Sequence, residues 1–276
     1  MHRNPDLLSP LTLSLLTGPH STPTSQNLTA VLGTDIDAGG ELAVDFRPLD
    51  AGGDGHSMFV SGPTGCGKSV VVATALVSLA AALTPDQVQF HINDPDVADY
   101  LGGDRLPHIV GVHDDAASIL TAATDALAAR ESQFTAADVD DVTGFREAGG
   151  EMPDLFFVIS GDFLTDEEWR RVEDMSRIVR TRGMHLIVVV QKAVERHRSL
   201  LANMGIRVTA EQRGVVEWST HTDRSGRLAV CDIFRPYVKP AEGETYDEAL
   251  SRADKSVHDT LPTQIEVLVD ELAARG

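Results

Sequence analysis

The sequence predicts a three-layer α/β fold, with a mainly parallel sheet flanked by helices, and three observations predict it. Short apolar runs recur without polar alternation: Ser57–Ser61, Val88–Asn93, Ile109–His113, Leu155–Ser160 and His185–Gln191. Such runs suit strands covered on both faces, the habit of parallel sheets. Segments with helical spacing separate them, which is the alternation of βαβ units. Finally, a glycine-rich turn joins the first run to a long apolar helix, Ser69–Leu83.

The remaining elements follow in order. Leu28–Ile36 and Glu41–Phe46 read as short strands joined by the turn Asp37-Ala38-Gly39-Gly40, and Asp50–Gly55 is a turn. Asp114–Phe134 reads as a helix capped by Asp114 or Asp115, with Ile119, Leu120, Ala123 and Leu127 on one face. Thr165–Arg182 reads as an amphipathic helix that turns Trp169, Val172, Met175 and Val179 inward. Gly226–Phe234 reads as an edge strand, and Tyr246–Gly276 as one or two helices broken near Pro262. The expected organisation is an N-terminal arm (1–26), an α/β domain (27–240) and a C-terminal helical tail (241–276).

Composition narrows the function. The 276 residues carry 23 basic and 42 acidic side chains, a net charge of −19. Duplex nucleic acid repels such a surface unless a local basic groove exists, which argues against a simple DNA-coating protein. Two cysteines, Cys66 and Cys231, make no disulfide framework and fit a reducing, cytoplasmic setting. The apolar stretch Leu7–Leu16 contains Pro10 and is too short to span a bilayer, so no transmembrane segment is expected.

The turn reads Gly62-Pro63-Thr64-Gly65-Cys66-Gly67-Lys68-Ser69, matching the pattern G-x-x-x-x-G-K-[ST]. Its glycines let backbone N–H groups point at phosphate oxygens. Lys68 would reach the β- and γ-phosphates, the Ser69 hydroxyl would ligate Mg²⁺, and the helix adds its positive N-terminal end. The strand before and the helix after are the context this mechanism requires. No guanine-reading motif stands out, so ATP is the expected nucleotide. Cys66 reads as a small filler.

Hydrolysis needs a carboxylate for the Mg²⁺ shell and a group that positions water. Leu155–Ser160 is the natural strand to deliver them, but it ends Ser160-Gly161-Asp162-Phe163 with one carboxylate. Asp162 is the candidate for the metal or the water, or else it caps the turn into the next helix. Gln191 closes the fifth run, as a γ-phosphate sensor or as a strand-end hydrogen bond. Asn93, Asp94 and Asp96 end another strand on the same edge, and Asp94 is a weaker substitute. His108, His113, Asp114 and Asp115 lack a recognised ligand spacing. Arg170, Arg171, Arg177, Arg180, Arg182, Lys192, Arg196 and Arg198 concentrate positive charge. They are interleaved with acids, as on an ion-paired helix face, although a DNA path or an arginine finger also fits.

These residues carry a family likeness. Leu32–Phe46 (LGTDIDAGGELAVDF), SGPTGCGKS, Leu101–Val112 (LGGDRLPHIVGV), AGGEMPDLFFVIS, Arg180–Gln191 (RTRGMHLIVVVQ) and Phe234–Val238 (FRPYV) resemble, in order and spacing, the FtsK/SpoIIIE class of P-loop ATPases. Within that class they most resemble the ATPase domains of the type VII secretion motors, EccC. The resemblance implies a RecA/FtsK-like P-loop fold, ATP with Mg²⁺, and neighbouring ATPase subunits or a secretion substrate peptide as partners. Two family motifs depart here. The acidic pair falls on Ser160-Gly161 or Gly161-Asp162, and Asp-x-Lys-Gly-Gly reads Asn93-Asp94-Pro95-Asp96-Val97. The expectation is therefore a weakly or non-hydrolysing regulatory module of a secretion assembly. The alternatives are an active secretion motor and, second, a DNA-translocating ATPase.

Overall fold

A computed structural model describes residues 28–37, 39–212, 215–229 and 261–274. The arm (1–26), Cys231 and the Phe234–Val238 segment lie outside the described residues. Ten strands form one sheet in the order β2-β1-β10-β9-β8-β3-β7-β6-β4-β5. Six of them run parallel: β3 (Met58–Ser61), β4 (Val88–Ile92), β5 (Ile109–Val112), β6 (Asp154–Ser160), β7 (Met184–Val190) and β8 (Ile206–Gln212). The other four, β1 (Thr29–Asp35), β2 (Glu41–Asp45), β9 (Val215–Thr220) and β10 (Ser225–Ala229), extend the sheet antiparallel beyond β8.

The continuous apolar runs earn their place by facing two cores. Along β6, Phe156 and Val158 enter the core beneath helix α1 (Lys68–Ala82), while Leu155, Phe157 and Ile159 enter the opposite one. That second core is closed by α3 (Ala116–Ala137) and α5 (Asp166–Ile178) through Ile119, Leu120, Ala123, Val172 and Met175. Phe156 sits at the centre, edge-on to Phe46 at 5.1 Å and stacked on His185 at 4.3 Å. Leu268 and Leu272 of the last helix, α7 (Leu261–Ala273), join the α1 side.

Two expectations need correction. Ser225–Ala229 is not an edge strand. It pairs with β9 on one side and β1 on the other, because a hairpin brings it back beside β9 and the early chain then covers its free side. The helix expected to reach Arg182 ends at Ile178. Val179–Arg182 tightens into a 3-10 turn that Gly183 closes in the left-handed region at φ 62°. The sequence reading also passed over β8, β9 and the short helices α2 (Pro95–Tyr100), α4 (Val142–Glu147) and α6 (Arg198–Leu201).

At the amino edge of the sheet a buried charge cluster joins the layers. Asp154 meets His185 Nε2 at 3.1 Å and Arg146 at 2.8 Å. Arg130, on α3, donates to the carbonyls of Arg182, Gly183 and Pro153. Burial lowers its pKa to about 10, opposed by Asp154. Nearby, His56 is half-buried, with its Nε2 buried and unpartnered, and burial, then His185, lowers its pKa to about 4.

His56 therefore links stability to pH. Its unfolded value lies near 6.5, so below that the unfolded chain binds the extra proton first. The stability contributed by neutral His56 is complete above about pH 6.5 and is lost as the pH falls toward 4. Urea denaturation across that window should show unfolding free energy declining with acidification. His56→Gln should flatten the decline, and an unchanged slope would contradict the assignment.

Candidate functional site

The turn between β3 and α1 is built by its glycines. Gly62 leaves β3 at φ 149°, and a Cβ there would lie 2.3 Å from the Ala210 carbonyl oxygen of β8. Its N–H donates to Val190 O of β7 at 3.2 Å, so the turn starts pinned between two strands. Gly65, at φ 79°, has nothing within 4 Å of its Cβ position and faces open space. Gly67, at φ 94°, is the N-cap of α1. Pro63 and Thr64 are exposed, while Cys66 is buried as a filler would be. Lys68 Nζ donates across the turn to Pro63 O at 3.0 Å. Ser69, second residue of α1, is half-buried.

The start of α1 differs chemically from those of the four helices α2 to α5. Helices α2, α3, α4 and α5 are capped by the side chains of Asp94, Asp115, Asp141 and Thr165. Helix α1 has no side-chain cap and no acidic residue in its first turn. Its orphan N–H groups and the positive end of its dipole face the glycine turn, beside the Lys68 ammonium. An anion is the chemical complement of this arrangement.

The sheet order brings the other candidates to the same edge. Beyond β3 lie the ends of β7, β6 and β4, carrying Gln191, Asp162 and Asp94 in turn. Asp162 Oδ1 accepts the Gln191 backbone N–H at 2.7 Å, and Gly161 N donates to Val189 O at 2.7 Å. Asp162 does not cap α5. Thr165 does, in a capping box with Glu168. Both Asp162 and Gln191 have exposed side chains. Gly161 explains the broken acidic pair physically: a Cβ there would lie 2.8 Å from Val190 Cγ1 and 2.9 Å from the Trp169 ring. Packing leaves no room for a carboxylate at that position. Phe163, beside Asp162, is 87% exposed, and sequence reasoning gave no sign of it.

Asp94 is buried, and its Oδ1 accepts from Val97 N at 3.1 Å. Burial raises its pKa, reinforced by Asp96 and opposed by the cap hydrogen bond and by Lys68. Next to it, Asn93 Nδ2 donates to His113 O at 2.9 Å.

The histidines divide. His108 is buried, stacked on Phe90, with Nε2 2.8 Å from Leu83 O, which makes the Leu-Pro-His turn a structural peg. His91 and His113 meet at 3.1 Å. Among the described residues no three His, Cys, Asp or Glu side chains gather as a metal site. The arginines are largely ion-paired: Arg177 with Glu173 and Asp174, Arg180 with Asp50, Arg196 with Asp166, Arg198 with Glu195. Arg180 and Arg182 precede β7, on the edge opposite Lys68.

The comparisons with known proteins agree with this geometry. The profile of the FtsK/SpoIIIE family matches residues 14–222. The ESX-5 secretion system protein EccC5 of Mycobacterium marinum is 29% identical over 212 residues, covering 67% of this chain and 15% of its own length. The DNA translocase SftA of Bacillus subtilis is 28% identical over 216 residues, covering 72% of this chain and 22% of its own. The chain thus spans under a quarter of the length of these relatives. Among solved structures, the cytoplasmic domain of the Thermomonospora curvata type VII secretion ATPase EccC superposes with a TM-score of 0.71 at 19% identity, over 95% of this chain and 33% of that one. ATPases 2 and 3 of the same EccC, solved with a signal sequence peptide, give 0.66 at 19% identity, over 91% and 48%.

The glycine turn can be tested without any ligand. Gly62→Ala should destabilise the fold by about 1–3 kcal/mol, because it forces a Cβ into the β8 backbone and strains φ. Gly65→Ala, which meets open space, should cost less. Equal midpoints for the two variants in chemical denaturation would refute this account.

Proposed function

The chain belongs to the FtsK/SpoIIIE family, and from that premise we propose that it binds Mg–ATP at Gly62–Ser69 as a weakly or non-hydrolysing module of a secretion-type assembly. The observation that carries the proposal is the uncapped start of α1 facing a glycine-built turn with Lys68 beside it. The loop N–H groups of residues 65–69 would receive phosphate oxygens, and Lys68 would leave Pro63 O for the β- and γ-phosphates.

The donors present suit Mg²⁺: a hydroxyl at Ser69 and a carboxylate at Asp162, both hard oxygen ligands. Ser69 would bind the ion and Asp162 would hold its shell. Bound there, the ion neutralises phosphate charge. Gln191, joined to Asp162 through its backbone N–H, would act as the γ-phosphate sensor. The missing acidic partner at Gly161 supports slow chemistry, so that ATP serves chiefly as a conformational ligand.

The solved relative with a signal sequence peptide supports a secretion substrate peptide, or a neighbouring ATPase domain, as partner. The net charge of −19 disfavours the DNA-translocating alternative. Among the described residues no helix is long and apolar enough to cross a membrane. A cytoplasmic setting fits a site for ATP.

ATP affinity with and without Mg²⁺, and steady-state phosphate release, should be measured for the wild type and Lys68→Ala. The expected result is Mg²⁺-strengthened binding that Lys68→Ala weakens at least about tenfold, or about 1.4 kcal/mol, with phosphate release slow. Absence of ATP binding by the wild type would refute the site. Rapid release abolished by Lys68→Ala would replace the regulatory reading by the motor.

A further inference from the structure

The end of β6 does not supply a group to activate water. Ser160 is not acidic, Gly161 is packed against Trp169 and Val190, and Asp162, whose Oδ1 holds the Gln191 N–H, is the carboxylate assigned to the Mg²⁺ shell. The adjacent strand end does hold a carboxylate. Strand β4 pairs with β6 up to Ile92 and Val158, and Asn93 N donates to Val158 O at 2.9 Å, so Asp94 emerges beside the Ser160–Asp162 turn.

We propose that Asp94 is the base that takes the proton from the attacking water when this chain hydrolyses ATP. The proposal rests on the reading of Gly62–Ser69 as an ATP site. Several features support it. Asp94 is held in place by its own cap hydrogen bond to Val97 N and by Pro95 at the start of α2. Asn93, before it, is tied to the His113 carbonyl. Helix α2 packs against α1, which places Asp94 within electrostatic reach of Lys68, the residue expected at the γ-phosphate. Burial holds its pKa above the ordinary carboxylate value, a change in the direction a general base needs.

The chemistry balances within the site. Water oxygen attacks the γ-phosphorus while the bond from that phosphorus to the β,γ-bridging oxygen breaks, leaving ADP. The Asp94 carboxylate takes one water proton, and inorganic phosphate forms. Asp94 then returns its proton to solvent and is restored. One of its oxygens is engaged by the cap, and the side chain is short, which accords with slow turnover rather than none.

The test separates this role from capping. Asparagine caps helices about as well as aspartate, so Asp94→Asn keeps α2 but removes the base, and Asp94→Ser is a second cap-preserving variant should the first misfold. Phosphate release by Asp94→Asn should fall at least about 100-fold, within the usual range for loss of an acid–base group, while ATP affinity is retained. The acid limb of the rate–pH profile should vanish with it. Unchanged phosphate release in a folded, ATP-binding Asp94→Asn or Asp94→Ser would overturn the proposal, as would loss of release explained wholly by lost ATP affinity. Wild-type protein that binds ATP but releases no more phosphate than Lys68→Ala would also overturn it, leaving the binding site intact. Wild type that fails to bind ATP would instead remove the premise.

Discussion

The site depends on the burial of helix α1. From Val71 to Ala82 every residue of that helix is buried, wedged between the parallel strands and the β1–β2 pair. Even its buried serine is used: Ser78 Oγ accepts the Val31 N–H at 3.0 Å. A helix packed on all sides cannot shift as a body without opening cavities, because protein interiors are close-packed. Its N-terminal end is therefore held at one point beyond β3. The turn before it must do whatever adapting a ligand requires, and at Gly65 nothing packs within 4 Å of the Cβ position.

The two edges of the sheet use polar groups in opposite ways. At the amino edge, Asp154, His185, Arg146 and Arg130 satisfy one another and nearby carbonyls inside the fold. Those groups hold layers together, since an unpaired buried charge would be costly. At the carboxyl edge, α1 starts without a cap, Asp162 and Gln191 are exposed, and Lys68 rests on a backbone carbonyl it can exchange for a stronger acceptor. The paired cluster at the amino edge is structural, and the groups left open at the carboxyl edge are available for chemistry.

The antiparallel wing shows how distant segments complete the core. Buried Asp54 accepts from Asp45 N at 3.0 Å, from Thr222 Oγ1 at 3.0 Å and from Arg224 at 2.6 Å. One carboxylate thus joins the end of β2, the lead-in to β3 and the β9–β10 turn. Gly55 and Gly205 pass so closely that a Cβ on either would lie 2.4 Å from the other's Cα. Strands β8 and β9 escaped the sequence reading because they alternate. In β9 only Val216, Trp218 and Thr220 are buried, so the apolar runs that betray the parallel strands are missing.

By itself the sequence determined the central parallel strands, the glycine turn with Lys68 and Ser69, and the following helix. Each is local: a run buried on both faces, a turn needing glycine torsions, a helix without polar residues to expose. It also placed Asp162 and Gln191 at strand ends. Tertiary structure alone decided what those ends do together. Strand order set β7 between β3 and β6, so Gln191 binds Asp162, and Thr165 rather than Asp162 caps α5. Trp169, eight positions along the chain, denies a side chain to Gly161. The pairing of β10 between β1 and β9, and of β4 beside β6 with Asp94 at its end, likewise depends on contacts between segments far apart in sequence. Spacing along a chain records torsional and periodic preferences, whereas which strand ends become neighbours is settled only when the sheet closes its two cores.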